Sequence, residues 1–188
     1  FAYKNEDWIL KNISFDLEKG QSLAFVGPTG AGKTSTINLL TRFYDFTRGN
    51  IYVDGEEIRN ISLESLRKQV GVVLQDVFLF RGSILDNLRL GDPSITEEQV
   101  ISAAQEVGIH DFILKLPGQY RYEVMERGAT LSMGQRQLLS FVRVLVHNPR
   151  IMILDEATSS IDSESEELIQ NAIAKVMKNR TSIIIAHR

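Results

Sequence analysis

The sequence predicts an α/β fold built on a largely parallel sheet covered by helices, and three observations predict it. Four short apolar runs read as buried strands: Leu23-Ala24-Phe25-Val26, Val72-Val73-Leu74, Ile151-Met152-Ile153-Leu154 and Ile183-Ile184-Ile185-Ala186. Segments of helical periodicity alternate with them. Each run also ends in polar chemistry, at Gly27, Gln75, Asp155-Glu156 and His187 respectively. Open α/β sheets bind ligands outside the carboxyl ends of their strands, so the four ends are expected to converge on one crevice.

The bulk properties bound this picture. A chain of 188 residues has room for one well-buried core with a small appended lobe, and 43% hydrophobic with 24% charged residues is ordinary for a globular protein. No apolar run approaches the roughly 18 residues of a membrane helix, so a membrane role must come through a partner. A net charge of -3 offers no basic field to a phosphate backbone, and nucleic acid is not expected as a partner. Without cysteine there is no disulfide framework and no thiolate metal site, which fits a reducing compartment. Phe1-Ala2-Tyr3-Lys4 has neither a starting Met nor a signal-peptide pattern, and reads as the start of a fragment cut from something longer.

The first strand runs into Gly27-Pro28-Thr29-Gly30-Ala31-Gly32-Lys33-Thr34, which fits G-x-x-x-x-G-K-[ST] in full. Backbone N–H groups of such a loop cradle phosphate oxygens, aided by the positive end of the helix that follows. Lys33 reaches the β and γ phosphates, and Thr34 offers a hydroxyl to magnesium, so the expected ligand is ATP with Mg2+. The bland alternative is an idle glycine turn, which needs no strand before it and no helix after it. A helix is expected there, because Thr34 to Arg42 carries Ile37, Leu39 and Leu40, with Phe43 next, at helical spacing, and Gly49-Asn50 closes the unit.

Past Gln75 the texture changes. Thr96-Glu97-Glu98-Gln99 is a capping box leading Val100, Ala103, Ala104 and Val107 along one helix face, within a helical lobe over about 76–135 that Pro117-Gly118 interrupts. Ser132-Met133-Gly134-Gln135 reads first as another capping box, with Ser132 at N-cap and Gln135 at N3 of a helix to about His147. It also leaves a hydroxyl, a small glycine and a positive helix end facing outward, a second anion site. The two phosphate-binding features meet either within one molecule or across a dimer.

Asp155 and Glu156 place adjacent carboxylates at the end of an apolar strand, costly unless a cation or a reaction needs them. Asp155 suits a water-mediated contact with magnesium, and Glu156 suits orienting and deprotonating an attacking water. Taken alone, Glu156 is equally a surface carboxylate, Gln75 a polar strand end, His187 a structural histidine and Tyr3 a packing aromatic.

In their order these residues carry a resemblance. Leu131-Ser132-Met133-Gly134-Gln135 is similar to the signature of ATP-binding-cassette (ABC) ATPases and stands before a Walker-B-like Ile151-Met152-Ile153-Leu154-Asp155-Glu156. Tyr3 matches that family's adenine-stacking aromatic, Gln75 its Q-loop, Ser159-Ser160-Ile161-Asp162 its D-loop and His187 its switch histidine. The resemblance covers essentially the whole chain. It implies a P-loop NTPase core with a parallel sheet, an N-terminal antiparallel β portion and a helical subdomain, with 1–75 and 136–188 forming the core and about 76–135 the subdomain.

The resemblance also implies roles. Catalysis falls to Glu156, His187, Lys33 and Gln75, nucleotide binding to Tyr3, the loop Gly27 to Thr34, Ser35, Gln75, Ser132, Gly134, Gln135 and Asp162, and magnesium to Thr34, Gln75 and Asp155. Gln75-Asp76-Val77-Phe78-Leu79-Phe80, then Ser83-Ile84-Leu85-Asp86-Asn87, and Glu123-Val124-Met125-Glu126-Arg127-Gly128 resemble exporter domains more than importer subunits. The implied partners are a second nucleotide-binding domain, head to tail and identical or not, and a transmembrane domain of the same transporter, at the cytoplasmic face of the cell membrane. C-terminal helices and the transmembrane region are expected outside this stretch. Met133, Met125 and Tyr122 depart from the family's usual residues, and Met133 raises a heterodimer with one non-equivalent site.

Two rival readings stand beside the exporter engine. One is a soluble ATPase of the same class, serving DNA repair, chromosome structure or the ribosome; the repair and chromosome proteins usually carry long coiled coils between their Walker motifs, and no sustained heptads occur between Lys33 and Asp155. A regulatory clamp that binds ATP without turning it over has no need of both Glu156 and His187.

Overall fold

The computed structural model describes residues 1–125, 128–155 and 163–186, with side chains from 166 in the last span. In chain order its elements are β1 (Ser22–Val26), α1 (Lys33–Leu40), β2 (Tyr52–Val53), β3 (Glu56–Glu57), α2 (Leu63–Gln69), β4 (Val70–Val73), β5 (Gly82–Ser83), α3 (Ile84–Arg89), α4 (Glu97–Val107), α5 (His110–Leu114), β6 (Glu123–Val124), α6 (Met133–His147), β7 (Ile151–Asp155), α7 (Ser163–Met177) and β8 (Thr181–Ala186). The chain divides into two compact units, one of Phe1–Val72, Pro149–Glu156 and Arg180–Arg188, the other of Val73–Asn148 and Ala157–Asn179.

All four apolar runs contribute strands to one sheet, in the order β1-β8-β7-β4, but β4 ends at Val73 with Leu74 exposed beyond it, and β1 is not the buried strand expected, Val26 being exposed. β1 and β8 pair in parallel with Val26 opposite Ala186, and β8 and β7 pair in parallel with Ile185 opposite Asp155. The α/β reading therefore holds, with the carboxyl ends of β1, β8 and β7 in register at one edge. Under the sheet, Ile37 of α1 packs with Ile153, Ile183 and Ile185, and Leu17, Phe25, Leu40, Val70 and Val72 close around them. Burying an isoleucine is worth roughly 1.5–3 kcal/mol, so this cluster clamps α1 onto the strands whose ends carry the chemistry.

A second cluster of Phe1, Leu39, Phe46, Ile58 and Leu66 ties the N-terminus, the other side of α1 and α2 together. The expected N-terminal antiparallel portion exists in small pieces: an Ala2–Trp8 bridge and the β2–β3 hairpin. That hairpin turns through Asp54 at φ 51° and Gly55 at φ 82°, the pair of left-handed residues that a two-residue type I′ turn demands.

One element is shorter than its periodicity predicts. α1 ends at Leu40, because Arg42 takes φ 49° and sends Nη1 to the carbonyls of Ile58 at 2.9 Å and Ile61 at 2.7 Å. Phe43 therefore leaves the apolar face, is 65% exposed, and lies beneath the Arg67 guanidinium, 4.9 Å from its ring centre.

The second unit is helical, with α6 packed by α3, α4 and α7. The capping boxes expected at Thr96 and Ser132 are both formed, and α4 buries Val100, Ala103, Ala104 and Val107 as its spacing predicts. Arg143 of α6 donates to the carbonyls of Asn87 and Phe78, both at 2.7 Å, and to Asn87 Oδ1 at 2.9 Å. Asn87 in turn donates to Phe80 O and Ser83 O. This network pins the segment that follows Gln75, and burial of the guanidinium pushes its pKa down to about 10.

Candidate phosphate site

β1 delivers the chain into the glycine loop at Val26, and the loop's backbone needs its glycines. Gly32 sits at φ 88°, a backbone that side chains rarely adopt, and a Cβ there would lie 2.6 Å from Leu10 Cδ2, so a side chain would be strained and would displace the Leu10 methyl. Gly32 is the N-cap of α1, with no side-chain cap and no acidic residue in the first turn. The first helical bond in this turn is Thr36 N–H to Gly32 O at 3.0 Å. The amides of Lys33, Thr34 and Ser35 come before it and have no intrahelical acceptor.

Lys33 is buried at 7% exposure, and its ammonium folds back over the loop to donate to Gly27 O at 2.5 Å and Pro28 O at 3.0 Å. Ala31 N–H donates to Pro28 O at 3.2 Å and Thr36 Oγ1 to Gly32 O at 3.2 Å, which completes the turn. Pro28, Thr29, Gly30, Ala31 and Thr34 are exposed on its rim. A fixed cation and three uncommitted amides at the positive end of a helix form an anion receptor, and nothing in the first turn competes for it.

Tyr3 reaches this loop from the N-terminus. Its hydroxyl donates to Ser35 Oγ at 3.0 Å and accepts from Asn38 Nδ2 at 3.3 Å, while its ring, 43% exposed, meets Phe1 and Tyr44 nearly perpendicularly at 4.7 and 4.8 Å. Tyr3, Lys33 and Ser35 are therefore brought together. Asn38, Tyr44 and Leu10 belong to the same assembly and were not singled out from the sequence. Asn38 lies three residues after Ser35, on the same face of α1, and that spacing was a readable signal; Leu10 carried none.

Asp155 ends β7, half-buried, opposite Ile185, and Ala186 of β8 is opposite Val26. The carboxylate and the glycine loop thus leave the same edge of the sheet. Glu156, Asp162 and His187 lie outside the described residues, as do Ser159-Ser160-Ile161 and Glu126-Arg127.

The remaining expected residues belong to the second unit. Gln75 is exposed two residues after β4. Ser132 caps α6, accepting Gln135 N–H at 3.2 Å while Gln135 Oε1 accepts Ser132 N–H at 2.9 Å. Cap and ligand roles are compatible, because the serine oxygen accepts within the cap while its O–H remains a donor. Gly134 is buried and Met133 is 38% exposed. Tyr122 bonds Thr130 Oγ1 at 3.2 Å, and Met125 is 59% exposed.

The donor set bears on a metal. Among the described residues no group of three or more His, Asp or Glu side chains could hold an ion. Thr34 and Asp155 offer a hydroxyl and a carboxylate instead, a sparse oxygen set of the kind magnesium uses when phosphates and water supply its other positions.

Comparison with known proteins agrees with this geometry. The ABC transporter family model matches residues 10–159. An uncharacterized ABC transporter ATP-binding protein of Bacillus subtilis (strain 168) is 50% identical over 188 residues, all of this chain and 31% of that protein. A putative multidrug export ATP-binding/permease protein of Staphylococcus aureus (strain NCTC 8325 / PS 47) is 50% identical over 189 residues, all of this chain and 33% of that protein. A solved structure of a bacterial Atm1-family ABC exporter with ATP bound matches with TM-score 0.90 and 41% identity, over all of this chain and 33% of its own. The chain thus spans about a third of each relative, and on the extent of the family match it belongs to the ABC transporter family.

Proposed function

We propose that this chain is the ATP-binding and ATP-hydrolysing domain of an ABC exporter, working at the cytoplasmic face of a membrane beside a transmembrane domain of the same transporter. The observation that carries the proposal is the receptor at the end of β1, where the buried Lys33 ammonium lies beside three amides of α1 that have no intrahelical acceptor. The names of the relatives, an export ATP-binding/permease protein and an exporter with ATP bound, support the coupling to transport. No helix among the described residues is long and apolar enough to cross a membrane, so coupling would run through another part of the protein.

In this reading the loop from Gly27 to Ser35 holds the triphosphate, chiefly through the amides of Lys33, Thr34 and Ser35, with the Lys33 ammonium on the β and γ phosphates and the Tyr3 ring against adenine. Thr34, Gln75 and Asp155 would hold magnesium, which would supply neutralisation of the phosphate charge. Glu156 takes the proton of the attacking water as its oxygen bonds to the γ phosphorus and the bond to the bridging oxygen breaks, releasing ADP and phosphate. Gln75 orients that water, and His187 donates to the γ phosphate. Ser132, Gly134 and Gln135 of a second domain, identical or related, complete the site from the opposite side next to Asp162, so ATP binding closes a head-to-tail pair and hydrolysis reopens it.

The decisive experiment is Glu156→Gln. It is expected to keep ATP affinity, to abolish turnover, and to accumulate an ATP-bound dimer by size-exclusion chromatography with light scattering. Wild-type turnover in that variant removes Glu156 as the base.

A further inference from the structure

We infer that Asn38 is a positioning residue for the nucleotide base, acting through Tyr3 and Ser35; the inference rests on the phosphate-site reading above and goes beyond it. The Asn38 amide donates to the Tyr3 oxygen at 3.3 Å, and the Tyr3 hydroxyl donates to Ser35 Oγ at 3.0 Å. Both hydrogen bonds run in one direction, from Asn38 through Tyr3 to Ser35. Ser35 Oγ accepts at one lone pair, and its own O–H remains to donate. Ser35 is 7% exposed at the third position of α1, in the turn whose amides have no intrahelical acceptor. Hydrogen bonds in series polarise one another, so the chain strengthens the final serine donor toward an anion in that turn.

The same contacts fix the ring. The backbone beside Tyr3 is held by the Ala2–Trp8 bridge and by Phe1 O, which accepts the N–H groups of Ile9 at 2.9 Å and Leu10 at 3.1 Å. Two near-perpendicular ring contacts, with Phe1 at 4.7 Å and Tyr44 at 4.8 Å, set its plane. The Asn38 and Ser35 bonds at its far end set its position along α1. The Asn38 carbonyl separately accepts Phe43 N–H at 2.8 Å, a backbone bond that survives any change of its side chain. Asn38 therefore couples where the base lies to how Ser35 meets phosphate, and its removal weakens binding of a ligand that carries a base more than binding of phosphate groups alone.

The test compares ATP with inorganic tripolyphosphate, both with magnesium, by calorimetry on wild type, Asn38→Ala and Tyr3→Phe. Alanine is a better helix former than asparagine, so Asn38→Ala keeps α1. The expected result is a fall of about three- to tenfold in the ratio of ATP affinity to tripolyphosphate affinity in each single variant, the scale of one lost hydrogen bond. The double variant is expected to fall no further, because both substitutions break one chain. An unchanged ratio in Asn38→Ala, or additive losses in the double variant, overturns the inference. Wild type that binds neither ligand overturns the phosphate-site reading itself, and this inference with it.

Discussion

Replacing Lys33 by methionine separates binding from stability. The side chain keeps its length and packing and loses its charge, and the wild-type residue is 7% exposed with two carbonyl acceptors for its ammonium at 2.5 and 3.0 Å. Hydrogen bonds from a charged donor are worth about 1.5–3 kcal/mol each. Against them stands the desolvation of a buried cation, an effective penalty of several kcal/mol. The two nearly cancel, so net stability is expected to change by about 1 kcal/mol or less, a melting shift of roughly 2–4 °C at this chain length. Binding has no such compensation. Loss of one charge-assisted contact to phosphate, about 1.5–3 kcal/mol, lowers ATP affinity roughly 10- to 150-fold. Differential scanning fluorimetry gives the first quantity and equilibrium titration with a fluorescent ATP analogue the second. A folded Lys33→Met variant with wild-type affinity refutes the phosphate role, and a melting shift beyond about 10 °C refutes the cancellation.

Two further predictions address other sites. Ser132→Ala removes the cap of α6, at a cost of about 0.5–2 kcal/mol in urea denaturation; the isolated domain keeps its ATP affinity, while a mixed dimer carrying the variant in one copy loses turnover at the opposite site, and lost affinity in the isolated domain counts against the sandwich. The Ser83 hydroxyl bond holds the Asp86 carboxyl below its ordinary value of 3.8. A depressed folded-state value means that the charged form stabilises the fold, so its contribution is complete above that ordinary value and is lost as pH falls through the lower folded one. The stability difference between wild type and Asp86→Asn should therefore shrink between pH 6 and pH 3, and a constant difference contradicts the assignment.

Several features were readable because their chemistry is local. The capping boxes at Thr96 and Ser132 are written within four residues, and the structure forms both. The loop from Gly27 to Thr34 is written in eight, and its glycines take the left-handed backbone at Gly30 and Gly32. The Asp54-Gly55 turn was equally local and could have been read in the same way. The end of α1 could not, because the competitor is distant: Ile37, Leu39, Leu40 and Phe43 continue a helical pattern, but carbonyls of residues 58 and 61 draw Arg42 out of it.

By itself the sequence determined the four strands, their polar ends, the glycine loop and the serine-capped α6, since each depends on groups within one or two turns of chain. Only the tertiary structure decided that β8 lies between β1 and β7, that Val26 stands opposite Ala186 and Asp155 opposite Ile185, and that Tyr3 anchors on α1 through Ser35 and Asn38. The reason is physical. Parallel strands with apolar faces pair well in many orders, and the choice among them is made by how Ile37 of α1 and the isoleucines of β7 and β8 fill a common core.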